Sequence, residues 1–576
     1  MRGILVGGAG AVERRHLTEF APEPWYETTT LSSAAFAAAH VHHGERAPET
    51  HRVIETGTTR YLRHGVVRRS PYEDESELAA ALLDDPGTVL PELDGTFLLC
   101  AFDDEDIVVA TDRLASKRLY VSRDPFVAGS SLAALARHRT DPEIDPATVG
   151  DLLTFGFAWN DRTLVKGVDA APIASYVRAS DAGPRRYASF VSGPSGASDE
   201  RGSDGFVDDV AADYRSAMRE SVECVGDDAR LGTWLSGGFD SRVAVKELRD
   251  AAGDVRTFTY DGNPADGTNV EPAAALADAL GVRHEVCEFT PDGLAANLDR
   301  AALLTDGMNT WRNFHGIDYV FDRLADEVDV MVDVSGQGEL FGDDVFVETL
   351  DRESESALAD ALYEDFAAFD AGEVLTTSYS GRRTTEAAVS RAAGDGVYAT
   401  GSDVVYANYF RNHYRGDLVG SQVGVRAPLT NAALLERAGN LPRRYRQRYF
   451  RLTGGIVPLP VSPLKLELVR SMGSSVDSVK YERTNLRPKW PQPVQLLGAA
   501  YVKLRHGRYG TYSEWYRSEP ALRRAVDDRL ATVTELPFVD ERAVADLRRR
   551  VLDGDDDALH PLGILSTMES WRRQVL

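Results

Sequence analysis

Lysine is scarce in this chain, cysteine scarcer, and long apolar runs are absent. Only Lys117, Lys166, Lys246, Lys465, Lys480, Lys489 and Lys503 stand among the 64 basic residues, against 90 acids and a net charge of −26. A net charge of this sign ordinarily argues against nucleic-acid partners, though here it has another source and discriminates little between functions. The lysine-poor, acid-rich surface resembles that of proteins from organisms that accumulate salt, a halophilic pattern in which salt screens carboxylate repulsion. Cys100, Cys224 and Cys287 are far apart in apolar contexts, which excludes a disulfide framework or a cysteine metal set. No window approaches twenty uninterrupted apolar residues, so no membrane partner is expected. The chain opens without a cationic region followed by a long apolar segment, which argues for a cytoplasmic protein. At 576 residues, with 43% hydrophobic content, it should fold as two or more domains.

What is present organises itself around residues 236–241, Ser-Gly-Gly-Phe-Asp-Ser. An apolar run at 231–235 reads as a buried strand before it, and Val243, Ala244, Val245 and Leu248 have helical spacing after it. A strand turning through paired glycines into a helix makes a cup of backbone N–H groups for phosphate. Glycine is expected there for φ angles that other residues avoid. Ser236 and Ser241 add hydroxyl donors, and Asp240 is placed to hold magnesium. The spacing is not that of the Walker loop; it resembles the pyrophosphate-binding PP-loop of enzymes that cut ATP between its α- and β-phosphates. A second strand-like run at 328–334 feeds another glycine-rich, acidic loop, Ser335-Gly336-Gln337-Gly338-Glu339-Leu340-Phe341-Gly342-Asp343. Two such loops at one sheet edge can clamp a nucleotide.

Along the chain, residues 4–6, 60–62, 95–102, 107–110 and 118–121 read as strands separated by acidic turns. Residues 191–205, rich in Gly, Ser, Pro and Asp, read as a linker. Beyond it helix and strand alternate: 206–225 helical, 256–260 a strand, 271–280 helical, 284–289 a strand, 319–325 helical, 328–334 a strand. That order predicts a doubly wound parallel sheet with ligand at its carboxyl edge. From 354 onward the pattern is mainly helical.

These loops, with Tyr260, with Val425-Arg426-Ala427-Pro428-Leu429-Thr430-Asn431 and with the closing Leu562-Gly563-Ile564-Leu565 and Glu569-Ser570-Trp571, resemble the asparagine synthetase family. In the N-terminal part, Met1-Arg2-Gly3-Ile4 stands where the family has Met-Cys-Gly-Ile. Leu93-Asp94-Gly95-Thr96-Phe97 and Thr111-Asp112-Arg113 through Lys117-Arg118-Leu119-Tyr120 follow its later motifs. The resemblance implies an α/β protein: an N-terminal-nucleophile αββα sandwich over 1–190, the linker, and an ATP-pyrophosphatase domain over 206–576 with a helical C-terminal part. It implies ATP and Mg2+ as cofactors. Leu235, Ser236, Gly237, Gly238, Asp240, Ser241, Tyr260, Ser335 and Gly336 would bind ATP; Asp240, Glu339 and Asp343 would hold the metal. The family's Arg-x-Lys element has Arg483-Thr484-Asn485 at the comparable place, so Lys480 and Arg483 join Asp240 and Glu339 as catalytic candidates. Asn431, where the family has Asp, is expected to cap a helix, and His284 to be a hydrogen-bonded strand residue. His40, His42 and His43 lack partnering ligands for a metal site.

The reaction implied is transfer of AMP to a carboxylate, followed by attack of an amine on the acyl-adenylate. Partners would be a small carboxylate, aspartate or a related acid, and an amine or ammonia, with room for a homodimer. A ligase acting on a larger substrate, like β-lactam synthetases or lasso-peptide cyclases, stays open, as does a non-catalytic ATP-binding regulator. A tRNA-adenylating PP-loop enzyme would need a basic face and finds none. Arg2 supplies no nucleophile, because its guanidinium stays protonated, and the Asn-Gly-Glu and Arg-Leu-Ser glutamine motifs are missing between residues 21 and 69. The expected outcome with labelled glutamine is therefore glutamate formation no faster than in buffer; enzyme-dependent hydrolysis would show that another residue replaces the lost nucleophile.

Overall fold

The computed structural model describes residues 3–10, 12, 18, 23–189, 205–226, 228–260, 269–343, 345–392, 394–410, 412, 416–450, 453–506 and 511–576. Arg2, Asp344 and the linker up to 204 lie outside them.

Two six-stranded sheets form the N-terminal half. One runs, edge to edge, Val168–Ala170, Tyr120–Arg123, Phe126–Gly129, Gly3–Gly8, Phe36–His42 and Glu27–Ser32; the other runs Arg185–Arg186, Ser175–Arg178, Ile107–Thr111, Asp94–Phe102, Thr59–Arg69 and His51–Thr56. Side chains alternate across each strand. Ile4 and Val6 meet Leu62, Leu98 and Cys100 between the sheets, while Leu5 faces outward onto Leu132, Leu135 and Val149. On the far side, Phe97 and Leu99 pack on Leu78 and Leu82 of the helix Glu75–Asp84. Both faces of each sheet are thus covered, the αββα arrangement expected, and the central strands are apolar throughout for that reason.

A third sheet is wholly parallel: Arg283–Cys287, Arg256–Tyr260, Leu231–Trp234, Val330–Val332 and Gly424–Arg426. Its order reverses between Leu231–Trp234 and Val330–Val332. Such a switch point opens a crevice at the carboxyl ends of the strands, and both glycine-rich loops leave the sheet there. Helices Phe206–Glu223 and Phe239–Ala252 cover one face; Pro291–Leu304 and the last helix, Leu559–Val575, bury the other.

Several expectations shift. The strand predicted over 328–334 is only Val330–Val332, and the helix predicted over 319–325 is two short pieces, Ile317–Asp322 and Leu324–Glu327. The edge strand Gly424–Arg426, three residues long, carried no periodic signal. Asn431 caps the helix Ala432–Gly439 by accepting from the N–H groups of Ala433 and Leu434. His284 lies 3.0 Å from Thr257 Oγ1 on the neighbouring strand. The three cysteines are free, and no helix among the described residues is long and apolar enough to cross a membrane.

The halves are joined by buried polar contacts. Arg68 donates to the Ala427 carbonyl and to Thr430, each at 2.9 Å; Tyr120 donates to Asp306 at 2.8 Å; Arg426 meets Glu49 at 2.9 Å. Histidines fill the space at this side of the sandwich: His40 lies 3.3 Å from His64, and His42 stacks on His51 with centroids 3.9 Å apart. Among the described residues no three or more His, Cys, Asp or Glu side chains are gathered closely enough to hold a metal by themselves, Asp240, Glu339 and Asp343 included.

Burial, with His51 alongside, lowers His42 to about 4; burial likewise lowers His51; burial and the Arg312 charge lower His560 to about 4. In the unfolded chain each would take up a proton near pH 6.5. Below that pH the unfolded chain binds more protons, so stability present above pH 6.5 is lost as pH falls toward 4. We expect the thermal midpoint to drop by at least about 3 °C from pH 7.5 to 5.5 at fixed salt, and a His42→Asn, His560→Gln double variant to flatten the slope. A midpoint independent of pH in the wild type would contradict this origin.

Candidate functional site

The first loop is built as a turn whose donors are already satisfied. The strand Leu231–Trp234 continues to Leu235, whose N–H bonds the Phe258 carbonyl at 2.8 Å. Ser236 N–H then donates to Ser241 Oγ at 2.9 Å, Gly237 N–H to Asn269 Oδ1 at 2.9 Å, and Gly238 N–H to Ser236 Oγ at 3.0 Å. The cup of N–H groups expected from the sequence exists, filled by side-chain oxygens. The role of its glycines differs from the expectation. Gly238 has φ −75°, open to any residue. A Cβ on Gly237 would stand 2.8 Å from Pro272 Cβ and 2.9 Å from Glu482 Cβ, so there glycine answers close packing. Positive φ is used instead at Gly336 in the second loop, at +90°.

Arg242, the residue after Ser241, fixes the loop from below. Its fully buried guanidinium donates to the carbonyls of Val476, Val479 and Lys480 at 2.7, 2.8 and 2.9 Å, and to Gly237 at 3.2 Å. Burial lowers it to about 10, still charged near neutrality. It ties residues 476–480 to the first glycine-rich loop.

The second loop places its acids opposite the first. Ser335 donates through its N–H and hydroxyl to Asp333 at 2.8 and 2.6 Å, which sets the turn, and Asp343 N–H bonds the Gly338 carbonyl at 2.8 Å. Between the loops stands Lys465, from the helix Pro463–Ser471. Its buried ammonium lies 2.8 and 2.9 Å from the two oxygens of Asp240 and 2.6 Å from Asp343. Burial alone would lower its pKa, but the two carboxylates outweigh that and hold it above the usual lysine value.

A cavity of about 540 Å³ spans both loops. Leu235, Ser236, Asp240, Ser241, Tyr260, Ser335, Gly336, Glu339, Asp343 and Arg483 of the sequence candidates line it. Gly237 and Gly238 sit in its rim loop; Gly238 lines the adjoining cavity of about 470 Å³, with Lys465, Glu482 and Arg483. Tyr260 forms the aromatic wall, stacked on His315 at 5.2 Å and 8° and edge-on to Trp234 at 5.7 Å. Lys480 is a correction. Its side chain is exposed and lines neither cavity, because Arg242 holds its backbone carbonyl inward; Lys465 supplies the ammonium instead. Sequence reasoning also missed Arg242, Asn269 and His315.

The asparagine synthase family profile matches residues 213–410, which contain both loops. A glutamine amidotransferase domain profile matches residues 72–189. Residues 213–410 thus carry an asparagine synthase domain and residues 72–189 a glutamine amidotransferase domain, the pairing that the resemblance to the asparagine synthetase family implies. Among solved structures the chain is similar to glutamine phosphoribosylpyrophosphate amidotransferase from B. subtilis complexed with ADP and GMP, at 13% identity over 44% of this chain and 65% of that one, TM-score 0.23. The allosteric regulatory enzyme of purine biosynthesis follows at 10% identity over 50% and 80%, TM-score 0.24. The chain thus spans about two thirds of the first of these, and neither likeness carries an argument at such scores. No curated protein matches it.

Lys465 gives a test without substrate. Replacing it with Met leaves the Asp240 and Asp343 carboxylates facing one another with no cation between them. The expected result is a larger rise of thermal midpoint on adding Mg2+ alone than the wild type shows. Equal shifts in both proteins would mean that the lysine does not occupy the cation position.

Proposed function

We propose that this protein is an AMP-forming ligase that activates a carboxylate, aspartate or a related acid, with ATP and joins it to an amine or ammonia not released by a glutaminase of its own. One observation carries the reading: Asp240 and Asp343, on two loops flanking the switch point, converge on one buried ammonium beside a nucleotide-sized cavity.

A carboxylate resists amines because its oxygen is a poor leaving group; transfer of AMP makes it a good one. In this reading the loop at 236–241 releases its own side-chain contacts and turns its N–H groups onto the departing pyrophosphate. Lys465 and Arg483 stabilise charge developing at the phosphorus. Tyr260 and His315 form the wall against which the base rests. Asp240, Asp343 and Glu339 present hard oxygen donors to one cavity and suit Mg2+, which would neutralise phosphate charge when bound. Lys465 already spans two of them, so their negative charge is held in place before any cation arrives.

The missing glutaminase is supported from two sides. The amidotransferase match begins at residue 72, beyond the segment where Arg2 replaces the nucleophile and the glutamine motifs are lacking. Where that segment is described, His40 and His64 are packed together, fully or almost fully buried.

The reading is tested by exchange of labelled pyrophosphate into ATP at molar KCl with magnesium. Aspartate, or another acid from a cell extract, should support exchange, and Asp240→Asn or Lys465→Met should reduce it on the order of 10²-fold or more. Tight ATP binding without exchange under any acid would replace the ligase reading with the regulator.

A further inference from the structure

Past His315 and Asn313, which line both, the nucleotide cavity adjoins a second chamber of about 550 Å³. Phe155, Phe157, Phe366, Tyr409 and Tyr512 give it aromatic surface, with Tyr409 packed on Phe366 at 4.9 Å and edge-on to Phe157 at 5.5 Å. Two cations line it, and they differ. Arg448 is compensated by Asp365 at 3.0 Å. Arg312 is not. Its guanidinium makes no hydrogen bond and has no carboxylate within 4.0 Å among the described residues, and its Nε is buried without an acceptor.

The position of Arg312 is fixed by its neighbours. Trp311 is fully buried, its N–H bonding Thr567 at 3.0 Å and its indole N–H bonding Ser566 at 3.1 Å on the last helix. The nearest histidine offers no counter-charge. His560 Nε2 lies 3.1 Å from the Leu153 carbonyl, which only accepts, so that nitrogen carries the proton. Burial and Arg312 itself keep the ring neutral down to about pH 4. A half-buried guanidinium without a direct acceptor keeps N–H donors for an incoming anion.

We propose that this chamber binds the anionic end of the molecule to be joined, a carboxylate carried on a planar apolar body, with Arg312 as its counter-ion. The role as substrate rests on the ligase reading; the binding does not. It makes the substrate larger than aspartate with ammonia and places its recognition on the far side of His315 from the phosphate loops.

The probe is 1-naphthoate, with the neutral 1-naphthalenemethanol as its isostere, titrated calorimetrically into the full chain with and without a saturating non-hydrolysable ATP analogue and magnesium. The acid should bind one to one in both conditions, at least about tenfold tighter than the alcohol. Arg312→Gln should erase that preference, and Arg312→Lys, which keeps the charge, should retain part of it. An unshifted thermal midpoint in the variants reports that they fold. Equal binding of acid and alcohol, a preference surviving Arg312→Gln, displacement of the acid by the ATP analogue, or no binding at millimolar concentration would each overturn the proposal. Pyrophosphate exchange is read separately: its absence sinks the ligase reading and leaves the naphthoate result standing or falling alone.

Discussion

The bridge from Lys465 to Asp240 and Asp343 is the interaction on which the rest of the site depends. Asp240 lies in the first turn of the helix that follows the first loop, Asp343 at the end of the second, and the lysine comes from a helix more than a hundred residues further along. Two carboxylates brought together at one sheet edge repel, and their attraction to a shared buried ammonium is strong where water is scarce. The cation therefore lets the fold hold two acids at the crevice of the parallel sheet. It also couples three segments that lie far apart along the chain. Arg242 performs the complementary task below the loop, binding four carbonyls, so that the phosphate loop is fastened to the C-terminal region by one cation above and one beneath.

On the proposed reading the N-terminal sandwich keeps its architecture without its glutaminase chemistry, and the contacts between the halves offer a reason. Arg68, Asp94 and Glu49 satisfy groups at the start of the C-terminal helix Ala432–Gly439 and on the edge strand Gly424–Arg426. Losing any one of these partners from the intact interface would leave a donor or acceptor buried and unpaired, at a cost of about 1–3 kcal/mol for each. A catalytic residue can be lost without disturbing such a network; the sheet that carries it cannot. The histidines at 40, 42, 51 and 64 fit this account: mutually packed rings, with His42 and His51 lowered in pKa by burial, fill the interior where charged or reactive groups would demand compensation.

What the sequence made legible was pattern. The strand, paired glycines and helix around 236–241 mark the first loop because spacing, turn chemistry and periodicity agree, and the αββα half and parallel sheet follow from runs of alternating elements. Residues whose importance is purely spatial left no such trace. Lys465 sits in an ordinary amphipathic helix, and only the fold carries its ammonium to Asp240. Choosing Lys480 followed position along a motif, where the structure turns that side chain outward and uses its carbonyl. Asn269 and His315 lie in irregular segments, with no period to mark them, and the three-residue strand Gly424–Arg426 is too short to show one. The glycines of the first loop were legible as glycines but not for the right reason: crowding by Pro272 and Glu482, and not the backbone angle, excludes a side chain at Gly237.

The satisfied loop also constrains how a nucleotide can bind. Phosphate oxygens arriving at Ser236, Gly237 and Gly238 do not meet free donors; they replace Ser241, Asn269 and Ser236 as acceptors. An exchange of one hydrogen bond for another contributes little net free energy when both acceptors are neutral oxygens of similar geometry. The gain comes from charge: an anionic oxygen accepts more strongly than a hydroxyl or amide, and Lys465 and Arg483 stand within the same pair of cavities. On the proposed reading, nucleotide recognition at this site is therefore electrostatic before it is geometric. The loop's own side chains then act as placeholders that keep the N–H groups correctly aimed until an anion displaces them, which spares the binding step the cost of ordering the turn.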